Sequence, residues 1–377
     1  MSEYQYYEFL AVDRPLTAGE MGELRAISTR ARITPTSFVN TYEWGDLKAR
    51  PIVLVEKYFA AFFYLANWGT RECMFRLPRE KVDLKALEPY CKGDSVTLTK
   101  TASFVIFTFG AHGEEADEDD WTETGEGMLA SLLPIRGSLL AGDLRPLYLR
   151  WLQRVQAEKI AGHLVEAPVP PGLGAPTGAL QALVDLLKLD SELLEVAAAG
   201  TAPSEDGGEI KRWLERMPPE EKDGWLARVM RDPGASADLL REYRTAAKRP
   251  EAGRRTVKEL VEVANVHREK RQKELLEQQK REQARYEAER AAERERHLKR
   301  LEAGEARAWT QVDELIAHKP AKYGEAVELL KDLGEVCRRS GRDAEFRRRI
   351  RDLRNDHAKK GNFIRRLDNA ELGGSGV

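Results

Sequence analysis

The sequence predicts an α+β N-terminal domain, followed by mostly α-helical regions that include a long charged helix. Of the 29 Phe, Trp and Tyr residues, 21 lie within the first 151 positions, and aromatic side chains contribute much of the buried area of a core. The same part of the chain alternates strand-like and helix-like patterns. After about residue 250, Arg, Lys and Glu dominate, at spacings typical of an exposed helix.

Length and composition set outer limits on the class of protein. A chain of 377 residues is long enough for about two or three domains. Its 61 basic and 63 acidic residues leave a net charge of −2, which excludes a uniformly basic nucleic-acid-binding protein. Three scattered cysteines, Cys73, Cys91 and Cys337, indicate a reducing compartment rather than a disulfide framework. Because neither a signal-peptide pattern nor a run of about 18 apolar residues is visible, we expect a cytoplasmic protein without a membrane partner.

Residues 1–127 are predicted to form the α+β domain. Thr17 and Glu20 have the capping-box spacing, so a helix should start at residue 18 and run to about residue 31. The very apolar run 52–66 predicts a second helix, buried against a sheet. We expect the helices on one face of a small sheet, with ferredoxin-like topology as a candidate. Strands are predicted at 4–12, 38–44, 70–77 and 95–110, the last with a bend in its middle.

The middle of the chain reads as helices on either side of a linker. Residues 128–166 are helical in pattern, with breaks at Pro134 and near Gly142, and should pack on the α+β domain. Residues 167–178 are rich in Pro and Gly and predict a linker at a domain boundary. Residues 179–250 then predict a small helical subdomain of about three to five helices.

Residues 251–304 predict a long, solvent-exposed helix, either an arm or a weak coiled coil. The residue types are strong helix formers, and pairs such as Glu277 and Arg281 stand at the i,i+4 spacing that stabilises a helix. About 45 helical residues would span roughly 70 Å. No apolar seam is sustained, so self-association through Leu275, Leu276 and Tyr286 is the weaker alternative.

Residues 305–372 predict a basic helical module, and residues 373–377 read as a linker or tag scar. The module begins with a helical hairpin similar to a single tetratricopeptide hairpin. Twelve basic side chains stand against four acidic ones between residues 338 and 366, a local charge of +8. Such a segment could bind nucleic-acid phosphates, bind a protein, or lay its Arg stems over apolar surface. The candidate binding residues are Arg338, Arg339, Arg342, Arg347, Arg348, Arg349, Arg351, Arg354, Lys359, Lys360, Arg365 and Arg366.

An acidic run at 114–126 is the second charged feature. It could be a solvated loop, or it could dock a basic partner or the basic tail of this chain. It lacks the ligand spacing and central Gly of a calcium loop. The candidate docking residues are Glu114, Glu115, Asp117, Glu118, Asp119 and Asp120.

Motifs for catalysis and cofactor binding are not found in the sequence. There is no phosphate-binding loop, no dinucleotide motif in strand–helix context, no paired zinc-ligand motif and no nucleophile elbow. The six histidines are far apart along the chain. We therefore predict no catalytic residue, no cofactor and no metal site, and a protein that is not an enzyme.

Three segments resemble a family of uncharacterised bacterial proteins. They are the opening YYEFLAVDRPLT (6–17) with its continuation to residue 46, YLANWGTR (64–71) and GDLRPLYLRWL (142–152). The segment AVELLKDLGEVCRRSGRDAEFRRRI (326–350) is similar to the close of the same family. The resemblance implies a bacterial, cytosolic protein of several parts, and it implies no activity.

These observations together predict a non-enzymatic adaptor or scaffold of a bacterial multi-protein system. It would bind protein partners through the α+β domain and through the C-terminal helical module. The alternative is a nucleic-acid-associated accessory protein, in DNA processing or anti-phage defence, that contacts DNA or RNA phosphates through the Arg-rich tail. A third interpretation is an enzyme with an unrecognised site in the N-terminal domain.

Overall fold

The computed structural model describes residues 4–94, 97–111, 124–199, 201, 207–232, 234–246, 255–318 and 322–372. The chain forms two compact units, which we call the sheet unit (Met1–Lys270) and the helical unit (Arg271–Val377). A β-sheet lies in the first part of the chain and helices follow it, so the predicted fold class is confirmed.

The sheet unit is built on a seven-stranded antiparallel sheet with strand order β2-β3-β1-β4-β5-β7-β6. The strands are β1 (Gln5–Leu10), β2 (Arg32–Thr34), β3 (Ser37–Tyr42), β4 (Ala61–Ala66), β5 (Arg71–Pro78), β6 (Leu98–Lys100) and β7 (Phe104–Ala111). The first four strands, with one helix after β1 and one after β3, have the element order and strand order of a ferredoxin-like fold. Three further strands extend the sheet beyond β4.

Sixteen helices are described. Those before residue 250 are α1 (Ala18–Ile27), α2 (Pro51–Lys57), α3 (Leu84–Cys91), α4 (Met128–Leu132), α5 (Pro134–Leu140), α6 (Arg145–Gln156), α7 (Gly178–Leu186), α8 (Ser191–Ala198), α9 (Gly207–Arg216), α10 (Pro219–Arg231) and α11 (Ala235–Ala246). The later ones are α12 (Val257–Ala303), α13 (Glu305–Ala317), α14 (Tyr323–Arg339), α15 (Asp343–Asp356) and α16 (Gly361–Asn369). The predicted capping box of α1 is present, and the helix breaks after residue 132 and after residue 140 match the predicted ones.

The prediction of one helix over 52–66 is wrong. This run contains all of α2 except its first residue, and the whole of β4, which lies between β1 and β5 in the middle of the sheet. Five of the six β4 residues are buried because both faces of the sheet are covered. A strand buried on both faces shows no alternation of apolar and polar residues, so its sequence cannot be told from a buried helix by periodicity.

Two smaller boundaries also differ from prediction. The segment 95–110 contains two strands, β6 and β7, which pair as a hairpin where a single bent strand was expected. Helix α1 ends at Ile27 rather than near residue 31, and the chain continues into the short edge strand β2. In both cases a short turn separates two elements, and the local sequence pattern did not show where the first element ends.

Helices cover both faces of the sheet, so the prediction of helices on one face is wrong. On one face Phe9 and Phe62 pack with Leu24 of α1 and Leu54 of α2. On the other face, Phe63 belongs to a core that also contains buried residues of α3 to α8 and of the start of α12. The sheet therefore divides the unit into two hydrophobic cores.

The segment 167–178 does not separate the two compact units. Its Leu173 is buried in the same core as Leu183 of α7 and Phe75 of β5. Helices α7 and α8 thus complete the sheet unit, and five helices, α7 to α11, lie in the range predicted to be a helical subdomain. The boundary between the compact units falls inside α12.

Helix α12 confirms the predicted long charged helix, with 47 residues, which corresponds to roughly 70 Å. Thr256 and Glu259 form a capping box at its start, because each side chain accepts a hydrogen bond from the backbone N–H of the other residue, at 3.3 and 2.6 Å. Every residue from Glu269 to Arg294 is exposed.

The helical unit has its own core. The predicted hairpin is formed by α13 and α14, and α15 and α16 pack on α14. Trp309 contacts Phe346 with ring centroids 5.9 Å apart, and Tyr323 contacts Phe363 at 5.5 Å. Leu330 and Leu333 fill the space between them.

Candidate interaction surfaces

The twelve basic residues predicted as a binding set divide into two groups of six. Five arginines of the first group form ion pairs with carboxylates of the helical unit, and the sixth lies over an aromatic ring. The ion-paired residues are Arg338, Arg339, Arg342, Arg347 and Arg354. The sixth is Arg349, whose guanidinium carbon lies 4.6 Å from the centroid of the Trp309 ring.

Three of these arginines reach carboxylates on other helices of the unit. Arg339 reaches Glu295 of α12 at 2.5 Å, and Arg342 reaches Glu305 of α13 at 2.5 and 3.2 Å. Arg354 of α15 pairs with Asp368 of α16 at 2.6 Å. This half of the set is engaged within its own unit, mostly by ion pairs rather than by Arg stems lying over apolar surface.

The Glu305–Arg342 pair should make the stability of the helical unit depend on acid pH. Hydrogen bonding from the Arg342 guanidinium lowers the pKa of Glu305 below its ordinary value of 4.5. A carboxyl with a lowered pKa stabilises the folded state above its unfolded pKa, and this contribution is lost as the pH falls through the folded-state pKa. We expect Glu305→Gln to melt at a lower temperature than wild type at neutral pH. The difference should shrink as the pH falls below about 4.5.

Thermal melts followed by circular dichroism between about pH 7 and pH 3 measure this difference. Arg342→Gln removes the other partner and should reproduce the same pH dependence. A difference that stays constant over the whole range would contradict the assignment.

The second group of six is exposed or half-exposed, and forms no ion pair within the described residues. It comprises Arg348, Arg351, Lys359, Lys360, Arg365 and Arg366. Lys360 donates instead to the carbonyl oxygen of Ile316 at 3.2 Å. Arg348 and Arg351 lie one turn apart on α15, on the side away from the buried Phe346 and Ile350. We call Arg348 and Arg351 the α15 pair, and they are the strongest remaining candidates for binding an anionic partner.

The acidic docking residues lie outside the described residues. This applies to Glu114, Glu115, Asp117, Glu118, Asp119 and Asp120. The described chain stops at the end of β7 and resumes at residue 124. The proposed docking between this run and the basic tail therefore stays a prediction.

A second candidate surface was missed from the sequence. Trp44 is 80% exposed and Trp68 is 39% exposed. Each precedes a glycine in the left-handed region, Gly45 with φ +76° and Gly69 with φ +85°, a conformation that glycine adopts without steric cost. The signal was present in the sequence as two Trp-Gly pairs, because a tryptophan in such a turn lies at the surface. We call Trp44 and Trp68 the aromatic end of the sheet unit.

A buried glutamine holds the first of these turns. Gln5 is 2% exposed, and its amide nitrogen donates to the carbonyl oxygen of Gly45 at 3.0 Å and to Asp46 at 2.9 Å. Its amide oxygen accepts from the hydroxyls of Tyr7 and Tyr64, at 2.8 and 2.9 Å. Burial raises the pKa of Tyr7 to about 12, so its hydroxyl stays protonated and able to donate. All four hydrogen-bonding positions of the Gln5 amide are used.

The second turn is tied to the same strand. Asn67 accepts a hydrogen bond from the backbone N–H of Tyr4 at 3.1 Å, and its own N–H donates to the Tyr4 carbonyl at 3.0 Å. Both turns are thus fixed to the start of β1.

Polar clusters inside the sheet unit are arranged as structural ties. Three carboxylates are each held by one or two arginines: Asp13 by Arg76 and Arg136, Asp94 by Arg150 and Arg154, and Glu166 by Arg255. Asp13 belongs to the DRPLT segment, and Arg150 to GDLRPLYLRWL. Polar residues of the segments 6–17 and 142–152 therefore hold the fold together.

Burial disfavours the thiolate form of two cysteines, Cys73 and Cys91. Burial raises the pKa of Cys73 well above its ordinary value and that of Cys91 to about 11, and the thiolate is the reactive form. Among the residues that are described, no group of three or more His, Cys, Asp or Glu side chains could hold a metal ion.

Comparisons with protein-family models, with curated proteins and with solved structures found no match. A search of the described helices found none long and apolar enough to cross a membrane.

Proposed function

We propose that this protein is a non-enzymatic adaptor of a bacterial multi-protein system, acting in the cytoplasm, with one partner-binding surface on each compact unit. The observation that carries the proposal is helix α12. Leu260 is buried in the core of the sheet unit and Leu298 is buried in the helical unit, whereas every residue from Glu269 to Arg294 is exposed. A helix that is polar all round is typical of a connection between domains.

Each unit offers a surface that its own fold leaves uncovered. The sheet unit offers the aromatic end, and tryptophan is among the residues that contribute most to binding at protein interfaces. The helical unit offers the α15 pair. Membership of the bacterial family stays a prediction that rests on the four segments named above.

Affinity purification of the tagged full chain from its host tests the adaptor function, with one half of the lysate treated with nuclease. Trp44→Ala and the double variant Arg348→Gln/Arg351→Gln are purified alongside. We expect discrete protein partners that survive nuclease, with different partners lost from the two variants. If both variants retain all partners of the wild type, these surfaces do not serve an adaptor.

A second candidate function, binding of nucleic acid, is favoured by the α15 pair alone. Two exposed guanidiniums one turn apart without an ion pair among the described residues can each contact a phosphate. The salt dependence of binding reports the number of such phosphate contacts. For duplex DNA, each contact that is lost makes the slope of log K against log salt less steep by about 0.9.

Titration of a fluorescein-labelled DNA duplex between about 50 and 200 mM salt tests this candidate. Arg348→Gln/Arg351→Gln should lower the slope by about 2 and weaken binding at low salt. The control is Arg347→Gln, because Arg347 already pairs with Asp343 on the same helix. Equal slopes for both variants, or no binding at low salt, would remove the nucleic-acid function.

A further inference from the structure

Two tryptophans of this chain, the half-buried Trp225 and the buried Trp309, are each covered by one of its own arginines, and two exposed tryptophans are not. The guanidinium of Arg228 lies 4.4 Å from the centroid of the Trp225 ring, and that of Arg349 lies 4.6 Å from Trp309. In the described part of the chain, neither Trp44 nor Trp68 has a cation over its ring. The face of an indole ring attracts cations more strongly than that of any other side chain.

The two uncovered rings lie at the same end of the sheet. Gln5 of β1 is paired with Tyr42 of β3 on one side and with Ala66 of β4 on the other. The two turns that carry the tryptophans therefore leave the sheet side by side, separated by two strand spacings, or roughly 10 Å. A short extended segment of a partner can reach both.

Hydrogen bonds tie both turns to the start of β1 in the absence of a partner. The Gln5 amide fixes the backbone at Gly45, and Asn67 is bonded twice to Tyr4. A surface that is already ordered loses little conformational entropy on binding. Exposed tryptophans on a fixed frame are thus suited to anchor a partner.

The charged residues nearest to Trp44 in the sequence are acidic. Glu43 and Asp46 are both exposed, and Asp46 uses one carboxylate oxygen to accept from Gln5. The next basic side chains, Lys48 and Arg50, follow the buried Leu47, where the chain turns into α2. Carboxylates beside an indole face favour a guanidinium, which can stack on the ring and donate to a carboxylate at once. They disfavour phosphate groups.

We infer that the aromatic end binds an arginine-bearing segment of a partner protein, with a guanidinium over Trp44 and Glu43 or Asp46 accepting its hydrogen bonds. This inference rests on the proposed adaptor function and names the partner chemistry of the sheet unit. Arginine is preferred to lysine, because a planar guanidinium stacks on an indole and an ammonium does not.

Fluorescence anisotropy of the full chain with a labelled peptide of about twelve residues, alternating Arg and Gly, tests the inference. Matched Lys-Gly and Glu-Gly peptides are the chemical controls. We expect the Arg-Gly peptide to bind most tightly and the Glu-Gly peptide not to bind. Trp44→Ala should lower the affinity about tenfold or more, the loss typical of an interface hot spot.

Further variants separate the ring from the charge. Trp44→Phe keeps a weaker aromatic face and should bind with intermediate affinity, and Glu43→Gln/Asp46→Asn should weaken binding most at low salt. The matched control is Met230→Ala, since Met230 is 87% exposed and lies on α10. Its affinity for the peptide should equal that of the wild type.

Two results would overturn the inference: Arg-Gly binding no tighter than Glu-Gly binding, or wild-type affinity in Trp44→Ala. A labelled single-stranded oligonucleotide that binds the wild type and loses affinity in Trp44→Ala would also do so, because the rings would then be stacking on bases. If the Arg-Gly peptide does not bind but Trp44→Ala still loses a partner in the affinity purification, the adaptor function stands and the preference for arginine is wrong. If the peptide binds and no partner is purified, the adaptor function is the part that fails.

Discussion

We expect Phe9→Ala to lower the free energy of unfolding of the sheet unit by about 3–5 kcal/mol, the usual cost of removing a buried Phe side chain. Phe9 is fully buried. Its ring contacts those of Phe38, Phe59 and Phe62, with centroids 5.5, 5.1 and 4.5 Å apart. Truncation leaves a cavity between the sheet and the helices that cover this face.

Urea unfolding followed by tryptophan fluorescence measures the loss. Six of the seven tryptophans precede residue 271, so the signal reports mainly on the sheet unit. Val12→Ala is the control, because Val12 lies just beyond the same strand and is 46% exposed; its effect should stay within about 0.5 kcal/mol. Similar losses for the two variants would mean that this face of the sheet is not packed as described.

The second large effect is expected at Glu166. Its side chain is 2% exposed and accepts two hydrogen bonds from Arg255, at 2.8 and 3.0 Å, and one from the Tyr148 hydroxyl at 2.6 Å. Glu166→Ala leaves a half-buried guanidinium and a buried hydroxyl without their acceptor. We expect a loss of about 2–4 kcal/mol, below the full cost of breaking a buried pair because Arg255 keeps some contact with water.

The same substitution should loosen the start of α12. The Glu166 carboxylate holds the Arg255 side chain just before the helix begins. Its loss leaves only the backbone bond from the Glu166 N–H to the Arg255 carbonyl, at 3.1 Å. Hydrogen exchange of the first turns of α12 should therefore become faster in Glu166→Ala. Glu262→Ala is the control, since Glu262 pairs with Lys258 at 3.7 Å at an exposed position, a pair worth under about 0.5 kcal/mol. Unchanged exchange in Glu166→Ala would show that Glu166 does not anchor the helix.

The aromatic-rich N-terminal region shows which elements of the fold can be predicted from local sequence pattern and which cannot. The strand β1 and the start of α1 were predicted because their signals lie within a few residues of each other. The strand β4 was predicted as part of a helix, because its apolar character comes from burial on both faces of the sheet. The burial of one of these faces depends on helices α4 to α8, which are about 60 to 130 residues further along the chain.

The candidate surfaces likewise combine features that are visible in the sequence with features that only folding decides. The twelve basic residues were found by counting, but the sequence did not show which of them form ion pairs. Glu295 and Glu305 neutralise Arg339 and Arg342 from more than 30 residues away. Packing therefore decided that the α15 pair has no ion pair among the described residues. The path of two turns decided that Trp44 and Trp68 are exposed.

By itself, the sequence determined the fold class, the capped helix start at Thr17 and the long charged helix. Each of these follows from propensity, capping and spacing among near neighbours. The tertiary structure alone decided which apolar run became the central strand, that both sheet faces are covered, which arginines remain unpaired and which tryptophans stay uncovered. These outcomes depend on partners distant in the sequence, since burial and charge pairing are properties of contacts that form only when the chain is folded.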